Sequence, residues 1–222
     1  MGKDKLKRFE ELKTFERVFQ FPRKLLHELP PLKGQWNKSV FKREAPIIIE
    51  LGCGRGEYTI GLSKQDPSKN YIGLDIKGAR LWRGAKTSHE EQLTHVAFLR
   101  TSVELLPQFF EEGELDEIWI TFPDPQPGLQ RERRRLTHPD LLKIYRSLLG
   151  KNGILHLKTD SSSLFEYSLE VIPQEPGELL ISTNDLYNNP PPGFNLDIKT
   201  TYEMKFLSQG MKINYLVYRF NN

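Results

Sequence analysis

The sequence predicts an α/β fold built on a mostly parallel, buried sheet of seven strands, the last two an antiparallel pair, with helices on both faces. Three observations predict it. Short apolar, β-rich runs alternate with segments of helical spacing, a glycine-rich turn follows the first run directly, and the alternation stops after about residue 171. Alternation of this kind requires βαβ crossovers, which put helices against a parallel sheet.

Residues 46–51 (PIIIEL), 71–76 (YIGLDI), 95–100 (HVAFLR), 115–122 (LDEIWITF) and 153–159 (GILHLKT) read as the first five strands. Between them, 57–64, 77–92, 103–110 and 138–149 carry helical spacing or helix-forming composition. Residues 161–171 form a further helix, capped by the serines at its start. Residues 178–182 and 212–220 read as the last two strands, with no clear long helix between them, so they are expected to pair antiparallel. Residues 187–194 (YNNPPPGF) read as a loop. The chain begins with a helical, charge-mixed extension at 6–19, ending in a loop around Pro30 and Pro31. The expected division is residues 1–45 as a helical extension and 46–222 as the main domain.

The composition sets limits. A chain of 222 residues can bury a core without staples. It is 37% hydrophobic and 27% charged, as soluble globular proteins are. Cys53 is the single cysteine, which excludes an internal disulfide and a cysteine-based zinc site, and no metal is expected. No apolar run approaches the ~18 residues of a membrane span, and the first residues (MGKDKLKRFEELK) lack the apolar core of a secretory signal. A cytoplasmic protein with no membrane partner is expected. A net charge of +3 does not argue for nucleic acid by itself; the placement of the charge does.

The glycine turn is Gly52-Cys53-Gly54-Arg55-Gly56, preceded by Glu50 at the tip of the first strand. Glycines let the backbone turn tightly and approach a ligand, while the helix N-terminus behind them favours polar groups. The spacing is G-x-G-x-G, shorter than the G-x-G-x-x-G that cradles a pyrophosphate, and it suits a nucleoside without phosphates. Asp75, nineteen residues after Gly56, closes the second strand, where an acid can accept both hydroxyls of a ribose. Acids around such a loop suit S-adenosylmethionine, which carries an ammonium and a sulfonium but no phosphate. The plainer reading is a tight turn beside an exposed acid. Cys53 reads as loop packing.

The fourth strand runs out into Phe122-Pro123-Asp124-Pro125, followed by Arg131, Arg133, Arg134 and Arg135. The prolines restrict the backbone on both sides of Asp124. The arginines are placed to contact phosphates, the alternative being a solvated helix start.

These motifs resemble the bacterial tRNA (guanine-N7)-methyltransferases over most of the chain from about Ile47 to Phe220. The match consists of the E-L-G-C-G-R-G-E loop, G-L-D-I, F-P-D-P with its basic segment, K-T-D at 158–160, and T-x-Y-E-x-K-F at 200–206. The resemblance implies a Rossmann-like class I methyltransferase fold, S-adenosylmethionine as methyl donor, and guanosine 46 in the variable loop of tRNA as substrate. It implies that Glu50, Gly52, Gly54, Gly56, Asp75 and Ser102 hold the donor. It puts Asp124 at the donor–substrate junction as the catalytic carboxylate, and Asp160, Thr200, Thr201 and Glu203 around the target guanine.

The sequence departs from the family at Gln126-Pro127-Gly128, where a tryptophan, a proline and lysines are usual, at Ser102 in place of an asparagine, and at Asp75 in place of the commoner Glu. Basic candidates for RNA contact are Lys3, Lys5, Lys7, Arg8, Arg23, Lys24 and the arginine cluster. Rival readings are a methyltransferase acting on a small molecule or another RNA, a nicotinamide oxidoreductase, and a non-catalytic RNA-binding module. The expected state is monomer or homodimer.

Overall fold

The computed structural model describes residues 2–21, 32–192 and 197–222, and divides into two compact units, 1–111 and 112–222. Each carries four of the eight strands found among the described residues.

In the first unit the strands are β1 (Val18–Gln20), β2 (Ile47–Leu51), β3 (Asn70–Leu74) and β4 (Val96–Arg100). All pair parallel, in the order β1-β4-β3-β2. Every residue of β2 and β3 is buried, which explains their unbroken apolar character: a parallel strand covered on both faces has no polar side to alternate. Helices α2 (Glu57–Gln65) and α3 (Gly78–Glu90) are the crossovers. The segment expected as the third helix is a 3-10 turn, Val103–Gln108, because Pro107 inside it cannot donate to an α-helical ladder.

The N-terminal extension differs from expectation. Helix α1 (Gly2–Leu12) ends well before residue 19, and β1 adds an eighth strand to the seven predicted. The backbone turns at Lys13 and Thr14, Phe15 is buried with its ring 4.9 Å from that of His89, and Phe98 N–H donates to Arg17 O. Val18 and Phe19 favour an extended chain once β4 offers an edge. Helix α1 packs on α3: Trp82 Nε1 donates to Glu11 at 2.7 Å, and the Arg8 guanidinium lies 4.8 Å from the Trp82 ring centroid. The extension is therefore built into the first unit. A π-helical turn at Trp36–Phe41 is pinned there too, by the buried Trp36, whose Nε1 donates to Phe109 O.

In the second unit β5 (Leu115–Thr121) and β6 (Leu149–Thr159) pair parallel around the crossover helix α4 (Pro139–Leu148). Helix α5 (Ser162–Val171) leads to β7 (Gly177–Thr183), which pairs antiparallel with β8 (Asn214–Phe220), as β8 does with β6. The antiparallel pair was expected. The helix inserted in its connection, α6 (Thr201–Ser208), was not. Trp119 on β5 stacks flat on His156 of β6 at 3.8 Å, and His156 Nδ1 bonds the Tyr215 hydroxyl of β8 at 2.8 Å, tying three neighbouring strands together. No helix among the described residues is long and apolar enough to cross a membrane.

Candidate active site

Strands β2, β3 and β4 lie side by side, and the residues expected to hold the donor lie at their carboxyl ends. That is where open α/β sheets bind ligands. Glu50 is the penultimate residue of β2, Asp75 directly follows β3, and Ser102 follows β4 by two.

The turn after β2 is made by three residues in the left-handed region, Gly52 (φ 72°), Gly54 (φ 56°) and Gly56 (φ 70°). At Gly56 a second constraint applies. A Cβ there would come within 2.7 Å of the Phe98 ring, so only glycine lets the start of α2 approach β4 this closely. At Gly54 a Cβ would have open space, its nearest neighbour 4.0 Å away, so the need there is for the backbone angle alone. The turn is held from both sides by acids. Asp75 Oδ2 accepts from Gly54 N–H at 2.9 Å and its Oδ1 from Lys77 N–H at 2.6 Å. Burial raises the Asp75 carboxyl above its ordinary pKa against these two bonds. Glu50, 3% exposed, accepts from the Thr59 backbone N–H at 2.8 Å and from the Thr59 hydroxyl, capping the third residue of α2. The acid expected to face a cationic ligand thus also fixes the helix behind the glycine turn.

Cys53 is buried and packs in the loop as expected. Burial, then the nearby Glu50 and Asp75 charges, raise its thiol pKa well above the usual value. Ser102 precedes the 3-10 turn with extended backbone and is half-buried; its carbonyl accepts from Leu105 N–H, and its hydroxyl does not cap the turn.

The donor set fits a cationic, phosphate-free nucleoside. Two buried carboxylates flank a glycine turn whose spacing is shorter than a pyrophosphate cradle, and carboxylates favour a cationic ligand.

The second unit gathers the remaining candidates at the carboxyl ends of β5 and β6. Strand β5 stops at Thr121 because Phe122 adopts φ 48°, an uncommon and costly angle for a bulky residue, worth about 1–3 kcal/mol. Phe122 N–H donates to Lys158 O, and Gln126 turns left-handed again at φ 47°. Asp124, between these two turns, is exposed. The arginine cluster divides. Arg131, Arg133 and Arg134 are exposed on a 3-10 turn (Leu129–Arg134). Arg135 is half-buried, stacks 4.2 Å from the Tyr167 ring and donates to Gln126 O, so it braces the loop that carries Asp124.

Asp160 follows β6 directly. The helix cap next to it is Ser161, whose hydroxyl accepts from Leu164 N–H at 3.3 Å, so Asp160 is not the cap. Its carboxyl is raised above the usual range by burial. Thr200, Thr201 and Glu203 come together at the start of α6. Thr200 is the N-cap in a capping box: its hydroxyl accepts from Glu203 N–H at 3.1 Å and its own N–H donates to Glu203 Oε2 at 3.4 Å. Thr201 is exposed at the first helical position.

Glu203 is fully buried, its Oε1 2.6 Å from the Nζ of the equally buried Lys158 and accepting the Tyr187 hydroxyl at 2.7 Å. Burial lowers the Lys158 pKa while Glu203 opposes the shift; burial, then Glu203, raise that of Tyr187. Sequence reasoning missed Lys158 and Tyr187, although K-T-D at 158–160 marked the place.

Lys5, Lys7 and Arg8 are exposed along α1, whereas Arg23, Lys24 and the Lys3 side chain lie outside the described residues, as do positions 193 and 194 of the proline loop. Among the described residues no cluster of His, Cys, Asp or Glu could hold a metal ion.

A parallel sheet with a glycine turn and acids at its strand ends is the architecture of class I methyltransferases. The fold is shared with a solved antibiotic-related methyltransferase, at a TM-score of 0.64 and 18% identity over 87% of this chain and 96% of that one. A family profile described as putative methyltransferase matches residues 44–216. The tRNA (guanine-N(7)-)-methyltransferase of Christiangramia forsetii is 47% identical over 98% of both chains. That of Bacteroides fragilis is 44% identical over 97% of this chain and 85% of its own. The chain belongs to the tRNA (guanine-N(7)-)-methyltransferase family.

Proposed function

We propose that this protein transfers a methyl group from S-adenosylmethionine to N7 of a guanine in tRNA, guanosine 46 of the variable loop. The observation that carries the reading is family membership over nearly the whole chain, supported by the acid-clamped glycine turn.

Glu50, Gly52, Gly54, Gly56, Asp75 and Ser102 hold the donor, Asp75 through the ribose hydroxyls. S-adenosylmethionine supplies an electrophilic methyl on a sulfonium sulfur. Guanine N7 has an available lone pair, so no proton must leave before transfer and no strong base is needed. Alignment is then the main demand, worth about 7–11 kcal/mol of barrier in well-oriented systems. The Asp124 carboxylate, held between two left-handed turns, supports the positive charge arriving on the base. Asp160 accepts hydrogen bonds from the guanine N1 and amino group, which rejects adenine. Glu203, enclosed by Lys158 and Tyr187, acts by fixing Thr200 and Thr201 at the head of α6. Arg131, Arg133 and Arg134 contact phosphates directly, while Arg135 braces the loop that carries Asp124. Residues 1–45 form an RNA-contacting extension, with Lys5 and Lys7 exposed on α1, and residues 46–222 the methyltransferase domain, in the cytoplasm.

The test is incubation of the protein with labelled S-adenosylmethionine and unmodified tRNA transcripts, followed by mass spectrometry of the digested RNA. The expected product is 7-methylguanosine at position 46, lost when that guanosine is replaced. Label on another base or another RNA would refute the reading.

A further inference from the structure

Helix α6 carries an aromatic side chain whose ring is left in water. Tyr202 is 50% exposed, and it is the one aromatic among the exposed large apolar residues described. Its ring lies over that of Phe206, one helical turn on, with centroids 6.4 Å apart and planes at 27°. Phe206 in turn lies 6.0 Å from Phe122, the left-handed residue that ends β5 two positions before Asp124. Both inner rings are half-buried, so the ladder runs from the Asp124 loop outward and ends in an exposed face. Spacings of this size are favourable for ring pairs, and they hold the outermost ring in place before anything binds.

Charge accompanies the ring. Lys205 is exposed three residues after Tyr202, on the same side of the helix, and Lys199 is exposed just before the cap. Neighbouring Thr201 belongs to the segment assigned above to the guanine. An exposed, preorganised ring flanked by cations matches a nucleobase stacking on an aromatic face while its phosphates meet lysines.

We propose that Tyr202, backed by Phe206 and Phe122, is a stacking platform for the nucleobase adjacent to the methylated guanine. The proposal rests on the tRNA reading and adds a contact that recognises shape rather than hydrogen-bonding pattern. The exposed Lys199, Thr201 and Lys205, close to the ring in sequence, favour a nucleobase with its phosphates over a purely apolar partner, although Met204 is exposed on the same helix.

The test compares Tyr202→Phe, Tyr202→Leu and Tyr202→Ala, using unmodified tRNA transcripts with 2-aminopurine placed on either side of the target guanine. Parent and Tyr202→Phe should bind with the same Kd within about twofold, and should quench the probe at one of the two positions. Tyr202→Leu and Tyr202→Ala should raise Kd and KM for tRNA by about tenfold, the ~1.4 kcal/mol expected within the range for one base–ring stack. They should lose the quench and leave S-adenosylmethionine affinity and single-turnover kcat within about twofold. If the leucine variant binds and quenches like the phenylalanine variant, or neither probe responds to the parent, the platform is refuted. Methyl transfer by the parent, measured on the same transcripts, reports separately on the functional reading: its absence refutes that reading whatever the variants do.

Discussion

Removing the Lys158 ammonium should cost the protein a large share of its stability. Lys158 and Glu203 are both fully buried, 2.6 Å apart, and Glu203 keeps the Tyr187 hydroxyl at 2.7 Å and the Thr200 N–H at 3.4 Å when the lysine is gone. Breaking a buried pair from one side costs about 3–5 kcal/mol because an uncompensated charge remains inside. The two surviving donors place Lys158→Met at the low end, about 3 kcal/mol, against about 5–15 kcal/mol for a typical domain. With a urea m-value of about 2 kcal/mol/M, the unfolding midpoint should fall by roughly 1.5 M.

Glu203→Gln should cost less, because burial already lowers the Lys158 pKa and the lysine can shed its proton instead of staying charged. The double variant Lys158→Met/Glu203→Gln should recover about 2 kcal/mol relative to Lys158→Met alone, since neither buried charge remains. Urea titrations followed by circular dichroism, combined as a double-mutant cycle, measure all three. A Lys158→Met midpoint within about 0.3 M of the parent, or a double variant no more stable than Lys158→Met, would refute this account of the pair.

Asp75→Ala should weaken S-adenosylmethionine binding at least about tenfold in calorimetric titration, since it removes the Gly54 and Lys77 clamp and, on the reading proposed above, both hydrogen bonds to the ribose; unchanged affinity would remove Asp75 from the site. Neutralising Arg131, Arg133 and Arg134 together should flatten the salt dependence of tRNA binding by roughly one unit of slope for each phosphate left without its arginine, with donor affinity unchanged. An identical slope would leave the three as a solvated face. Asp124→Asn keeps shape and loses charge, so single-turnover transfer should slow about a hundredfold with donor and tRNA affinities little altered. A near-parental rate would make Asp124 a turn residue only.

The glycine turn and the acid beside it were legible because their geometry is local. A glycine turn after a buried strand and an acid at the end of the next are fixed by backbone angles and strand order, which sequence spacing reports directly. Ser161 was legible as a cap for the same reason. The start of α6 was only partly so. Thr200-Thr201-Tyr202-Glu203 carries the T-x-x-E signature of a capping box, a signal that eight helical residues after a proline loop leave easy to overlook. Strand β1 could not be read, since three residues become a strand only when β4 supplies a partner. Nor could the Lys158–Glu203 pair. Lysine in a strand is ordinarily a surface residue, and only the approach of a helix some forty residues later encloses it.

The buried thiol of Cys53 has a use at the bench. It is the chain's single cysteine, enclosed in the loop, and two acids disfavour its thiolate, the form that reacts with maleimides and iodoacetamides. The native sequence is therefore a chemically silent background. A cysteine introduced at an exposed position, such as Arg133 or Lys5, would be the one site to take a fluorophore or spin label, without first deleting a residue from the glycine turn.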